Sequence, residues 1–145
     1  MRELPRKLSV EELAELFEGR TSFVERLAQL EDPLGSAREV ARQLPDGEKK
    51  EVLDAHPAIG ARKLSARSAQ EQGGVEDSAV LEELARLNRD YEEKFGFRFV
   101  VFVNRRPKSA IVPILRERLE RSRAEELETA LDELVSIAID RWQRV

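Results

Sequence analysis

Four polar residues in the middle of the chain have the types and spacing of an acid/base site. His56 is the only histidine, and Ser68, Glu71 and Gln72 follow it in a short polar stretch. Histidine is the side chain whose unperturbed pKa lies nearest neutrality, so it is the natural proton donor or acceptor at pH 7. A hydrogen-bonded structural histidine is the alternative interpretation of any single imidazole. The residue type alone therefore allows both interpretations.

The polar stretch has the spacing of one helix face. Ser68, Glu71 and Gln72 occupy positions i, i+3 and i+4, which project from the same side of a helix. A hydroxyl, a carboxylate and an amide would then be presented together. The alternative is a solvated helix face with ordinary surface side chains.

The last predicted helix carries an arginine on its apolar face. Its apolar stripe consists of Leu127, Leu131, Leu134 and Ala138, and Arg141 follows on the same side. An arginine that faces the core is costly unless it is paired or faces a cavity. Alternatively, the helix end is frayed and the side chain extends into water. The spacing does not decide between these two interpretations.

Composition excludes several classes of function. The chain has 25 basic and 29 acidic residues, a formal charge of −4, which argues against nucleic-acid binding because that requires a basic excess. It has no cysteine and one histidine, so we expect no disulfide, thiolate nucleophile or metal site. No apolar run reaches the ~20 residues that a membrane span requires, and the basic N-terminus lacks the apolar run of a signal peptide. We therefore expect a cytoplasmic protein without nucleic-acid or membrane partners.

Helix signals recur along the chain and predict one compact all-α domain, residues 1–145, with about eight helices. We expect N-caps at Ser9, at Thr21 or Ser22, at Ser36, at Asp46 and at Asp77 or Ser78, a short helix over 65–72, Pro113 in the first turn of a seventh helix, and a last helix over 124–144. Gly19 and Gly96 are the expected ends of the first and sixth helices. The predicted lengths differ too much for a symmetric bundle.

One segment, 97–103, departs from the helical pattern. It reads FRFVVFV, and its aromatic and β-branched residues favour a strand. Because a single strand has no sheet partner, we expect a short extended connector that is buried. Asn88 lies on the apolar face of the preceding helix, where we expect its amide to hydrogen-bond the backbone of a neighbouring segment.

Several motifs occur in an order that is typical of one enzyme family. They are His56-Pro57 with Gly60, Ser68-x-x-Glu71-Gln72, Leu87-Asn88-x-x-Tyr91-x-x-x-Phe95-Gly96-Phe97-x-Phe99-Val100, Arg118-Leu119, Glu125 or Glu126, and Ile137-x-x-x-Arg141. Each motif is weak alone, and their combination is specific. From about Ser9 to Arg141 the sequence resembles the OHCU decarboxylase family, whose members act on 2-oxo-4-hydroxy-4-carboxy-5-ureidoimidazoline in urate breakdown.

The resemblance implies an all-helical enzyme that converts this small-molecule substrate to (S)-allantoin and CO2 without a cofactor. It also implies that the protein forms a homodimer. The catalytic pair that it implies consists of His56 and Glu71. The implied substrate contacts are Ser68, Gln72, Arg141 and the backbone of Phe99, Val100 and Val101.

Two other functions stay open at this stage. Arg98 stands where many members of the family have proline, which makes a related cofactor-free lyase or hydrolase for another ureide conceivable. A non-enzymatic helical interaction module would fit the densely charged helix faces. That alternative predicts a large exposed apolar patch and no small-molecule binding.

Overall fold

The computed structural model describes residues 3–59 and 78–144, and within these ranges all regular structure is α-helical. The seven helices of these ranges are α1 (Val10–Phe17), α2 (Ser22–Ala28), α3 (Pro33–Gln43), α4 (Asp46–Ala55), α5 (Ser78–Phe95), α6 (Lys108–Leu119) and α7 (Arg123–Gln143). The predicted all-α class is confirmed. The additional helix predicted over 65–72 lies outside the described residues.

Local capping chemistry starts two helices where the sequence predicts it. The Ser9 hydroxyl accepts a hydrogen bond from the N–H of Glu12, and the Glu12 carboxylate accepts one from the N–H of Ser9 (3.1 and 3.0 Å). Thr21, one of two predicted caps for α2, accepts a hydrogen bond from the N–H of Val24 at 3.4 Å. These caps satisfy N–H groups that have no partner inside the helix.

Two other predicted caps are wrong. Asp32 caps α3 and Pro33 begins it, so Ser36 lies inside the helix. The fixed φ of proline suits the first helical position, and this favours the earlier start. Pro45 is the N-cap of α4, and Asp46 is its first helical residue without a side-chain capping bond. There the carboxylate interacts favourably with the positive end of the helix dipole.

The helix α6 begins before the proline that was predicted to start it. Pro107 is the N-cap and the helix runs from Lys108 through Pro113, so the prediction that Pro113 lies in the first turn is wrong. A proline inside a helix removes the donor for the carbonyl four residues earlier, here that of Ser109. The helix nevertheless continues to Leu119, because this loss concerns a single hydrogen bond.

The longest helix, α7, packs against α1, α3 and α4, and α2 packs against the same three helices. The helices α5 and α6 form a second packed pair. In the core, the rings of Phe17 and Phe23 meet edge to face at 5.1 Å. Tyr91 of α5 packs against Phe97 and Phe99, with ring centroids 5.8 and 5.2 Å apart. None of the helices in the described ranges combines the length and apolarity of a membrane span.

The segment 97–103, the predicted extended connector, contains neither helix nor strand and is mostly buried, with Arg98 and Phe102 half-buried. Gly96 ends α5 with φ +81°, a left-handed conformation that glycine adopts without strain. Where a sheet would supply a neighbouring strand, side chains of other elements bind the backbone of this segment. The carboxylates of Asp54 and Glu133 accept from the N–H groups of Arg98 (3.0 Å) and Phe102 (3.3 Å). The guanidinium of Arg118 donates to the Val100 carbonyl (2.8 Å). A lone extended segment can satisfy part of its backbone in this way.

Candidate active site

His56 lies at the carboxyl end of α4 because a proline follows it. A residue before proline is restricted to extended conformations, and His56 has φ −79° and ψ 135°. Its N–H still donates to the carbonyl of Leu53 at 3.2 Å and closes the last turn. The helix therefore ends at Ala55, and the imidazole projects from a helix terminus.

The imidazole of His56 is buried and is neutral at pH 7. Only 8% of the residue is exposed, and Nδ1 has no hydrogen-bond partner among the described residues. The pKa of His56 is lowered to about 4, chiefly by burial and also by the charges of Arg141 and Arg98, while Glu18 raises it. The neutral ring can therefore accept a proton or a hydrogen bond at pH 7.

Arg141 faces the interior, which decides between the two interpretations of its position. The residue is 1% exposed, Nη1 donates to the Leu16 carbonyl at 2.9 Å, and Nη2 lies 3.0 Å from Oε1 of Glu18. The inward orientation is confirmed, and the frayed surface arginine is wrong. The ion pair and the carbonyl acceptor offset the cost of burying the guanidinium. Its effect on the pKa of His56 makes Arg141 part of the imidazole's surroundings.

Glu18 also lies at this site, although no motif in the sequence pointed to it. It has a left-handed conformation (φ 65°) at the carboxyl end of α1, one residue before the Gly19 that was predicted to end the helix. Gly19 serves a different purpose, because a Cβ there would lie 3.2 Å from the Cβ of Ala55, closer than ordinary contact. The missing side chain lets the end of α1 approach the end of α4. Glu18 is thereby brought into electrostatic contact with His56.

Two side chains hold the turn that carries His56. Asn88 of α5 donates from Nδ2 to the Ile59 carbonyl at 3.2 Å, which confirms the prediction that this amide bonds a neighbouring backbone. Arg98 donates from Nη1 to the carbonyls of Asp54 and His56, at 3.0 and 2.7 Å. The backbone on both sides of the histidine is therefore fixed by side chains of other elements.

A cleft that is open to solvent lies beside His56. The empty space at its mouth and within it, open solvent included, is about 480 Å³. Its walls include the turn of His56, Pro57 and Ile59, the extended residues Phe99 and Val101, the α7 residues Ile137 and Asp140, and Arg144, the C-cap of α7. The structure thus brings His56, Phe99 and Val101 of the predicted site together at one cleft.

Two further predicted site residues that the structure describes are not at the cleft surface. Val100 and Arg141 are buried and are not part of the cleft wall formed by the described residues. Ser68, Glu71 and Gln72 lie outside the described residues. Within the described ranges, no three acidic or histidine side chains are grouped as metal ligands.

Several backbone groups of the extended segment have no hydrogen-bond partner among the described residues. The N–H and C=O of Phe99 and of Val101 make no hydrogen bond with any described residue. In an extended chain, successive residues direct these groups to opposite sides. We therefore expect the groups of Phe99 and Val101 to lie on the side opposite to the side chains that bond Arg98, Val100 and Phe102. A ligand in the cleft could use them.

A second buried cluster of charges holds this segment in place. Glu126 of α7 is completely buried and accepts hydrogen bonds from Tyr91 Oη (2.6 Å), Arg118 Nε (2.7 Å) and Arg121 Nη1 (2.9 Å). Arg118 also donates to the carbonyl of Val100. The cluster therefore fixes the backbone between the two extended residues that line the cleft.

Comparisons with known sequences point to one family. The sequence model of OHCU decarboxylase matches residues 2–143. The 2-oxo-4-hydroxy-4-carboxy-5-ureidoimidazoline decarboxylase of Haloferax volcanii is 36% identical over 113 residues, which cover 74% of this chain and 67% of that protein. The uric acid degradation bifunctional protein of Bacillus sp. strain TB-90 is 32% identical over 112 residues, which cover 74% of this chain and 22% of that longer protein.

Comparison with solved structures points to the same family. A crystal structure of OHCU decarboxylase in the presence of (S)-allantoin matches with a TM-score of 0.75 and 25% sequence identity. The match covers 90% of this chain and 94% of that one. On the sequence match over nearly its whole length, the chain belongs to the OHCU decarboxylase family.

Proposed function

We propose that this protein catalyses the loss of CO2 from 2-oxo-4-hydroxy-4-carboxy-5-ureidoimidazoline, with (S)-allantoin as the organic product. The observation that carries the proposal is the buried His56, which lines the cleft and whose Nδ1 has no partner among the described residues. Since buried polar atoms are almost always hydrogen-bonded, such a nitrogen beside a cleft indicates a place for a ligand. Membership of the OHCU decarboxylase family supports the identity of the reaction.

The proposed chemistry uses the substrate as its own electron sink. Loss of CO2 leaves an electron pair on the ring carbon that carried the carboxylate. This pair forms a double bond with the neighbouring ring carbon, and the nitrogen that was doubly bonded to that carbon takes up the charge and a proton from solvent. Many decarboxylases use pyridoxal or thiamine for this task. The protein then has to hold the anion in one pose, move a proton and protonate the ring from one face.

His56 is the proton acceptor in this scheme. Because its pKa is lowered to about 4, the imidazole is neutral at pH 7 and enters the reaction as a base. It takes the proton of the substrate's hydroxyl group, and the imidazolium that forms is a proton source for the ring. The negative charge of the bound substrate offsets the cost of this buried cation.

Arg141 supplies positive charge beside His56 for the substrate's carboxylate. Its ion pair with Glu18 holds the guanidinium in one orientation. Glu71 is the second catalytic group, and it orients the imidazole or faces the departing CO2. Ser68 and Gln72 complete the polar side of the pocket. The resemblance of the Ser68-x-x-Glu71-Gln72 motif to that of the family supports these last three assignments.

The backbone of the extended segment provides the remaining contacts with the ring. The N–H and C=O groups of Phe99 and Val101 are without partners among the described residues and are the donors and acceptors for the substrate. Val100 contributes differently, because its carbonyl is bound by Arg118 and so fixes the segment.

We also infer that the protein acts as a homodimer in the cytoplasm. The family resemblance supports the dimer, and the absence of cysteine is compatible with a reducing compartment. Light scattering should give twice the chain mass of 16.6 kDa. A mass equal to that of one chain would contradict the dimer and would leave the proposed reaction unaffected.

The assay for the proposed function follows the optical activity of the substrate. Uricase and hydroxyisourate hydrolase generate the ureidoimidazoline from urate in situ, and circular dichroism records it with and without the protein. We expect rapid conversion into a lasting (S)-allantoin signal. Decay at the spontaneous rate into racemic product would overturn the proposed function.

The substitution His56→Asn tests the role of the imidazole. Asparagine keeps a polar side chain but cannot act as a base, so turnover should fall by about 10²- to 10⁴-fold. The helical circular-dichroism spectrum should not change, because the backbone of residue 56 is held by other residues. A folded variant with most of its activity would remove His56 from the mechanism.

A further inference from the structure

Arg98 binds the last turn of α4 at three points. Nη1 donates to the carbonyl oxygens of Asp54 (3.0 Å) and His56 (2.7 Å), and the backbone N–H donates to Oδ1 of Asp54 at 3.0 Å. Its Nε also donates to Oε1 of Glu92 at 3.3 Å. One residue of the extended segment is therefore connected with α4, with α5 and with the peptide group of the histidine.

The carbonyl groups at the end of α4 depend on donors from elsewhere in the molecule. The last carbonyls of a helix have no partner inside it. Pro57 has no N–H and cannot extend the hydrogen-bond ladder beyond His56. The guanidinium of Arg98 supplies the missing donors, and a charged donor forms stronger bonds than a neutral one. Arg98 therefore fixes the peptide group from which the imidazole projects.

The ring of His56 has no hydrogen bond of its own at Nδ1 among the described residues. Its place is therefore set by the backbone of residue 56 and by packing. Any displacement of that backbone moves the ring relative to the cleft. A displacement of about 1 Å at a reacting group can cost on the order of a hundredfold in rate.

We propose that Arg98 is a positioning residue for the reaction at His56: by holding the carbonyls of Asp54 and His56, it fixes the imidazole at the cleft wall. The inference rests on the proposed role of His56 in the decarboxylation. Arg98 is not part of the cleft wall formed by the described residues, so it acts through the histidine. The positive charges of Arg98 and Arg141 also favour the neutral imidazole, whereas the negative charge of Glu18 has the opposite effect.

Arg123 offers a matched control at the opposite end of α4. Its Nε donates to the Phe95 carbonyl at 2.9 Å, and Nη1 and Nη2 bind the carboxylate of Asp46 at 3.0 and 3.1 Å. Like Arg98, Arg123 therefore connects α4 with another element by hydrogen bonds to a backbone carbonyl and to a carboxylate. None of its described contacts involves His56. Arg98→Met and Arg123→Met each remove guanidinium hydrogen bonds to one end of the same helix.

Kinetics of the two variants should differ. In Arg98→Met we expect turnover to fall about tenfold to a hundredfold while KM stays within about threefold, because a reacting group is displaced. Arg98→Lys keeps the charge but has a single donor atom, so it should recover part of this loss. Arg123→Met should keep wild-type turnover.

A spectroscopic readout reports the ring directly, because His56 is the only histidine in the chain. The Cε1–H resonance of the wild-type protein should titrate near pH 4. Arg98→Met should shift this resonance and raise its midpoint, since a cation and an anchor are lost, while Arg123→Met should leave both unchanged. This result does not require turnover, so a failure of the proposed function is distinguishable from a failure of this inference.

Wild-type turnover with an unshifted resonance in Arg98→Met would overturn the inference. Equal losses of turnover in Arg98→Met and Arg123→Met would overturn it too, because the effect would then follow from stability alone. Should Arg98→Met not fold, Arg98→Lys tests the hydrogen bonds alone, because it keeps the charge and loses donor atoms. Full wild-type turnover in that variant would overturn the inference.

Discussion

Two buried arginines in this molecule have similar contacts and different neighbours. Arg118 and Arg141 are 5% and 1% exposed, and they pair with Glu126 and Glu18, respectively. Each guanidinium also donates to one backbone carbonyl. The pairs therefore have much the same local chemistry, and what distinguishes them is the group beside each.

The cluster of Arg118 serves the fold, whereas that of Arg141 adjoins the cleft. Glu126 accepts hydrogen bonds from three side chains, and the Cζ of Arg118 lies 4.6 Å from the ring centroid of Phe99. Arg141 instead influences His56, which lines the cleft and has no partner for Nδ1 among the described residues. A buried charge alone thus does not indicate an active site; a titratable group without a partner beside that charge does.

The largest expected effect concerns the stability that Glu126 provides. Glu126→Gln preserves the shape of the side chain but removes the charge that Arg118 and Arg121 share. Because breaking a buried ion pair leaves a charge uncompensated, we expect the free energy of unfolding to fall by about 3–5 kcal/mol. Urea unfolding followed by helical circular dichroism measures this loss.

Glu128 provides the control on the same helix. It lies 3.6 Å from Arg42, with side chains that are 62% and 52% exposed, so Glu128→Gln should cost less than about 1 kcal/mol. The folded Glu126→Gln protein should retain most of its turnover, because Arg118 still donates to the Val100 carbonyl and so holds the segment beside the cleft. If both substitutions destabilise the protein equally, burial is not the reason for the importance of Glu126.

The next effect, of roughly 3 kcal/mol, is the dependence of stability on the protonation of His56. The pKa of His56 is about 4 in the folded protein and near 6.5 when unfolded, so the unfolded chain binds more protons between these values. Stability is complete above pH 6.5 and is lost as the pH falls toward 4. Urea unfolding from pH 7 to 4 should show this loss in the wild type and not in His56→Asn. Parallel curves for the two proteins would contradict the buried neutral histidine.

Glu18→Gln removes the charge that pairs with Arg141, just as Glu126→Gln removes the charge that pairs with Arg118. Its partner Arg141 keeps the Leu16 carbonyl as an acceptor, and Glu18 is 14% exposed, so we expect a smaller loss of about 1–2 kcal/mol. The pKa of His56 should fall further, because the Glu18 carboxylate raises it. NMR titration of the single histidine measures the shift, and a rise in its midpoint would show that another group controls the ring.

Features that depend on neighbours in the chain could be predicted from the sequence. The capping box of Ser9 and the end of α5 at Gly96 follow from spacing within one element. The spacing also places Arg141 on the apolar face of its helix, but only the structure decides that it faces the core. The wrong predictions at Ser36 and Pro113 arose where two adjacent starting points competed. In both cases a proline earlier in the chain began or preceded the helix.

The contacts that build the site could not be predicted, because they join residues far apart in the chain. Arg141 meets Glu18 since α7 packs against α1, and Arg98 reaches His56 since the extended segment lies at the end of α4. Spacing within a helix contains no information on either contact. Gly19 is the one local sign, because a residue without a side chain there permits α1 to approach α4.

The smallest effect is expected from Tyr91→Phe, which removes one donor from Glu126 and leaves the aromatic packing intact. Arg118 still donates to the same oxygen, so the loss should be about 1 kcal/mol. Burial raises the pKa of Tyr91 far above its usual value, so the phenol remains a donor and the loss should be equal at pH 7 and pH 9. Urea unfolding at both pH values measures it. An equal loss of stability at the two pH values would contrast with the pH-dependent contribution of His56. It would show that the Glu126 cluster supports the fold and does not exchange a proton. A loss that disappeared at pH 9 would mean that the phenol of Tyr91 ionises and that the cluster is open to solvent.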